Sequence, residues 1–155
     1  MQKNPKLLLL TILSLVIVPA AMANMGAEES NESIDPDYLA GKKAVESQDW
    51  KKAIELLSKA MKTVSNNSEA HNLLGYAYRK SGNYEASFAQ YNQALKIDPA
   101  NKHAHEYIGE AYLLTNNLPK AEQHLAELQR LCSPIPCEEY KELKFAVDAY
   151  KKGKK

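Results

Sequence analysis

The chain has 155 residues, 45% of them hydrophobic and 25% charged, which is a globular composition with room for one ordinary core and not for two. Its 20 basic residues meet 19 acidic ones, and without Lys3 and Lys6 the balance is 18 to 19. A near-neutral chain of this kind is not a nucleic-acid binder.

The first 23 residues have the organisation of a signal peptide. Lys3 and Lys6 precede the apolar run Leu7 to Val18, Pro19 breaks it, and Ala21-Met22-Ala23 supplies the small-x-small pattern read by signal peptidase. Cleavage is expected after Ala23. The apolar run is 12 residues, short of the roughly 20 that span a bilayer as a helix, so no stable membrane insertion is expected once the segment is removed. No Cys follows it that could carry a lipid. In a Gram-negative cell such a chain is periplasmic. Residues 24–33 are polar, small and acidic and read as a flexible leader. Helical structure is predicted to begin at Asp35-Pro36, where Asp35 caps a first turn that accepts proline.

From there a period of 34 residues takes over. Gly41, Gly75 and Gly109 are 34 apart, as are Ala40, Leu74 and Ile108, and Trp50, Tyr84 and Leu118. Three units follow, 34–67, 68–101 and 102–133, each predicted to hold two helices. In the second, Leu73, Leu74, Ala77 and Tyr78 keep helical spacing up to the break Ser81-Gly82-Asn83. Tyr84, Ala86, Phe88, Tyr91, Ala94, Leu95 and Ile97 carry a second helix to Asp98-Pro99, where proline ends it.

A period of 34 with this residue order resembles the tetratricopeptide repeat, a helix-turn-helix unit that stacks into an α-solenoid. The resemblance covers about 100 residues, and Ala44, Ser87 and Leu128 depart from its pattern without breaking it. It implies an all-α fold in which each mid-helix glycine admits a paired helix through Ala53, Ser87 or Ala121, small against small. Trp50, Tyr84 and Leu118 then open the second helices, and Leu57, Tyr91 and Leu125 bury one turn later. His71 and His105, 34 apart, are expected to pack between units.

After Cys132 the register breaks, because the position 34 beyond Gly109 is Leu143. Residues 134–150 read instead as a C-terminal capping helix striped by Tyr140, Leu143, Val147 and Tyr150, followed by a basic tail, 151–155, read as a solvated end. In an oxidising compartment Cys132 and Cys137 most simply form a disulfide across the Ser-Pro-Ile-Pro bracket, fixing the angle of the cap.

No nucleophile elbow, phosphate loop or zinc-protease motif occurs, so neither an enzyme nor a cofactor is expected. What remains is a surface. The first helices of successive repeats line the concave face in this family, which here implies a groove containing Tyr38 and Lys42, then Asn72, Tyr76 and Arg79, then Glu106 and Glu110. Tyrosines would pack a ligand's side chains, Asn72 would bond its backbone, Lys42 or Arg79 would pair its acids, and the two glutamates would favour a base. Family members that clamp a partner's terminal carboxylate use a lysine and an asparagine where this chain has Tyr38 and Lys42, an asparagine where it has Leu73, and a basic pair where it has His103 and Tyr107, so that mode of binding is not implied. The reading is a periplasmic protein-binding adaptor for a segment or helix of an envelope protein. A self-associating scaffold is the alternative, and a redox or metal carrier built on Cys132, Cys137 and His124 is a remote third.

Overall fold

The computed structural model describes residues 35–153, so the signal-peptide and leader readings lie outside the described residues. Seven helices follow one another: α1 Pro36–Glu46, α2 Trp50–Ala60, α3 Ser68–Lys80, α4 Tyr84–Ile97, α5 Lys102–Leu114, α6 Leu118–Leu131 and α7 Glu138–Gly153. Among the described residues there is no strand, and no helix is long and apolar enough to cross a membrane.

Side-chain caps set the starts. Asp35, Asp49, Asn67, Asn83, Asn101 and Asn117 each accept a hydrogen bond from the amide three residues on, satisfying a donor the first turn would leave orphaned. The ends within each pair are also periodic. Gln48, Gly82 and Asn116, 34 apart, all have positive φ, at 60°, 81° and 59°, and turn the chain from the first helix into the second. Glycine takes that conformation without strain, and asparagine is the side chain that tolerates it best.

α1–α2, α3–α4 and α5–α6 form the three pairs, and α3 and α5 each pack on the second helix of the unit before. Asn101 ties two units together: while capping α5 it donates through Nδ2 to Ser68 Oγ at 2.8 Å, and Ser68 Oγ donates to Ala94 O at 3.0 Å. The core follows the repeat, with Leu57 and Tyr91 wholly buried and Ala53, Ser87 and Ala121 sealed between helices. Ala40 is the exception in its triplet. Leu74 and Ile108 are buried against the preceding unit, whereas Ala40 in the first unit is exposed beside Leu39.

Two expectations are corrected. A Cβ on Gly41 would meet the Leu57 side chain at 2.7 Å, on Gly75 the Tyr91 ring at 2.8 Å, and on Gly109 the Leu143 side chain at 2.6 Å. The glycines therefore make room for one large residue each, and are not matched to Ala53, Ser87 and Ala121. The third case explains the broken register: α7 lies closer to α5 than to α6 and drives Leu143 onto Gly109, the place an in-register glycine would leave empty. Further, α7 runs through Lys151 and Lys152 to Gly153, and Lys151 pairs with Glu122 of α6 at 2.6 Å, so the start of the basic tail is helix. Tyr150 donates to Asn116 Oδ1 at 3.2 Å, and Tyr140, Leu143, Val147 and Tyr150 form the inward stripe.

Candidate protein-binding groove

α1, α3 and α5 lie side by side, and spacings of three and four turn one stripe of each to a common face. At its centre is an aromatic stack. Tyr76 stands edge-on to Trp50 with centroids 5.7 Å apart, and tilts against Tyr107 at 4.8 Å. The guanidinium of Arg79 covers both tyrosines, 5.1 Å from the Tyr76 centroid and 5.4 Å from that of Tyr107, and its Nη1 lies 2.5 Å from Glu110 Oε2. Cation, ring faces and carboxylate thus cross-brace α3 and α5. Behind them the buried Tyr91 hydroxyl, close to Arg79 but without a hydrogen bond to it, is held well above the ordinary tyrosine range by its burial.

Around the stack is a cleft of about 330 Å³. Val45, Glu46, Gln48 and Trp50 bound it where α1 passes into α2, Glu69, Leu73, Tyr76 and Lys80 form its floor on α3, and His103 and Tyr107 close it on α5. The Lys80 ammonium stands 5.7 Å from the Trp50 centroid and 5.9 Å from that of Tyr76. Burial first, and the charge of Glu69 second, raise the Tyr38 hydroxyl above its usual range, which places Glu69 toward α1.

Of the residues the sequence assigns to the groove, Tyr76, Arg79 and Glu110 are brought together, with Tyr38 and Lys42 alongside on α1; Lys42 is exposed. Asn72 and Glu106 are not at the surface as expected. Asn72 is 1% exposed, flanked by helices on both sides; its Nδ2 donates to Glu69 at 3.3 Å and its Oδ1 has no donor. Glu106 is 3% exposed, since α7 folds across this part of α5 and brings Glu139 and Glu142 to it. Burial above all, then a hydrogen bond shared with Glu142 and the charges of Glu110, Glu142 and Glu139, push its carboxyl up to about 9, so it is protonated at neutral pH. Arg79 and Glu110 answer each other and not a ligand.

Trp50, Tyr107 and Lys80 are groove residues that sequence reasoning misses. Trp50 carries the signature of a packing residue at a helix start, and nothing local in the chain says that it also faces a cleft. Glu139 and Glu142 reach Glu106 only because α7 is folded onto α5.

His71 and His105 each reach back across a unit boundary, to the loop that ends the preceding unit. His71 bonds Ser65 O through Nε2 at 3.0 Å and Gln90 Oε1 through Nδ1 at 2.7 Å, and His105 repeats this one period on, to Pro99 O at 3.0 Å and His124 Nδ1 at 2.9 Å. Each ties a first helix to its own second helix and to the preceding loop. Burial, then the adjoining His105, hold His124 down at about 4. The pairing of His124 with Cys132 and Cys137 is therefore not formed: its ring neighbours are His105 and Tyr112. The two cysteines are joined to each other, Cα to Cα 5.4 Å, and the carboxylate beside them is Glu139. Sulfurs in a disulfide are not thiolate ligands.

The family model described as TPR repeat matches residues 75–116, from the glycine of α3 to the turn after α5. The matched stretch thus carries the TPR repeat, and the seven helices, paired at the same period, give the chain the all-α solenoid fold of tetratricopeptide-repeat proteins. Solved structures of the same fold include the Yersinia enterocolitica type III secretion chaperone SycD in complex with a peptide of the translocator YopD. It is 20% identical, with a TM-score of 0.68, over 83% of this chain and 99% of that one. PcrH in complex with the chaperone-binding region of PopD is 16% identical, with a TM-score of 0.70, over 84% of this chain and 100% of that one. The TPR2B domain of yeast Sti1 in complex with pHsp70 is 16% identical, with a TM-score of 0.69, over 76% of this chain and 94% of that one. No curated protein matches the chain by significant sequence similarity.

Proposed function

We propose that this protein is a periplasmic adaptor that holds a segment of another protein against the face formed by α1, α3 and α5. The observation that carries this is the cleft around Trp50, Tyr76 and Tyr107, a concave aromatic site with a polar rim on a braced frame. Proteins of the same fold are solved with partner peptides, which supports the same use here. Export rests on the pattern of residues 1–23, and the Cys132–Cys137 disulfide suits an oxidising compartment.

Arg79 belongs to the frame, so substituting it would confound binding with folding. A photo-crosslinking amino acid at Lys42 or Lys80, both exposed on the groove side, is compared in cells with one at Asn92 or Gln123, exposed on the second helices. Adducts from the first pair alone are expected. Adducts confined to the second pair reject the groove.

Self-association is the second reading, favoured by Leu39, 49% exposed, next to exposed Ala40 on the flank of α1 where later units bury Leu74 and Ile108. Light scattering across concentration tests it, and a strict monomer removes it.

A further inference from the structure

The charges around the cleft are unevenly committed. Arg79 is paired with Glu110, His103 lies 3.6 Å from Glu139, and Lys80 stands over the ring faces. On the other side, Glu46 and Glu69 line the cleft and, among the described residues, neither has a cation within ion-pair distance. Glu69 takes only the long bond from Asn72. Beyond it, Glu139 and Glu142 of α7 stand beside Glu106, which is buried and protonated and adds no charge to the cleft. Between these carboxylates the walls are apolar or aromatic: Val45, Leu73, Trp50, Tyr76 and Tyr107.

Resting on the adaptor reading above, we propose that the cleft takes an extended partner segment carrying a large apolar side chain within two residues of a lysine or arginine. The apolar group fills the space between Leu73, Trp50, Tyr76 and Tyr107. The cation meets Glu69, with Glu46 at the other edge, and it shares the electron-rich ring faces with Lys80, whose own position shows that they accept an ammonium. An acidic segment would face the unpaired carboxylates and find the neighbouring guanidinium already engaged by Glu110. About 330 Å³ is at the small end for ligand sites, which suits one anchoring side chain and its neighbour better than a folded surface.

The test is selection from a random peptide library displayed on phage against the purified protein, followed by titration calorimetry of the enriched peptide. Enriched sequences are expected to place Lys or Arg within two residues of Leu, Ile, Met, Phe or Trp. The selected peptide should bind Glu69→Gln roughly threefold more weakly, and its own Lys→Gln version should no longer distinguish the two proteins, closing a double-mutant cycle. Because Glu69 is partly exposed, Glu69→Gln is expected to fold, with circular dichroism as the check. Enrichment of acidic or uncharged sequences overturns the cationic assignment while leaving the groove standing. No enrichment at all from folded protein overturns the adaptor reading and this one with it.

Discussion

Arg79 of α3 and Glu110 of α5 hold each other at 2.5 Å across two tyrosine rings, each on the first helix of a different repeat. Two residues that look like separate ligand contacts on a helical wheel form one internal brace. Arg79 is 10% exposed and Glu110 26%, so the pair is shielded from the screening that makes surface ion pairs nearly worthless. Arg79→Ala strands Glu110 near Glu106 and uncovers both rings. A loss of about 1–3 kcal/mol in urea unfolding is expected. Arg79→Lys should recover only part of it, because an ammonium keeps the charge and loses the planar stack.

Glu106 makes stability depend on pH. Its folded pKa, about 9, is above the ordinary carboxyl value of 4.5. The folded state therefore prefers the protonated form, and the stabilisation is full below about pH 4.5 and lost as pH rises through 9. The groups facing it are Glu110 on its own helix and Glu139 and Glu142 on α7. Glu106→Gln mimics the neutral acid at every pH. Thermal melts should show little difference from the parent near pH 5 and a variant melting several degrees higher near pH 9; equal melting at both would mean that Glu106 is not held neutral.

His124 acts in the opposite sense. Its pKa is lowered to about 4 against an ordinary 6.5, so the neutral ring stabilises the fold above 6.5 and that contribution is lost as pH falls toward 4. The preceding unit has Gln90 in this place, bonded to His71 as His124 is bonded to His105. His124→Gln should keep the link between α5 and α6 and flatten the acid limb of the stability curve. An unchanged limb would place the acid sensitivity elsewhere.

Gly75→Ala sets propensity against space. Alanine in a helix interior is worth about 1 kcal/mol over glycine, but its Cβ would stand 2.8 Å from the Tyr91 ring, which is wholly buried and cannot retreat. Overpacking should prevail, with a net loss of about 1–2 kcal/mol in chemical denaturation. Gly153→Ala, with nothing within 4 Å of the added methyl group, serves as the control and should be neutral or slightly stabilising.

Much of the fold is legible because a repeat writes each contact three times. The triplets of Gly41 and Trp50 fix the helix pairs, and the caps Asn67, Asn83, Asn101 and Asn117 are short-range signals that need no tertiary information. The positive-φ series Gln48, Gly82 and Asn116 is equally present and harder to see, because three different side chains occupy one conformation. The groove is less legible. Periodicity says which stripe of a helix faces inward, and that suffices for Tyr76, Arg79 and Glu110. It does not say what covers the stripe, so Asn72 and Glu106 are buried where the stripe alone would expose them, and Trp50, a helix-start residue, reads as core packing alone.

The sequence by itself determined the period, the helix pairs and the stripes that α1, α3 and α5 turn to one face, because all of these follow from local backbone preferences and the spacing of side chains along a helix. The tertiary structure alone decided where α7 lies. Leu143 can enter against Gly109 only when the cap leans on α5, and that lean buries Glu106 among carboxylates from another helix and closes one end of the groove. Packing of that kind depends on which surfaces remain uncovered once the other helices are in place, and no stretch of neighbouring residues records it.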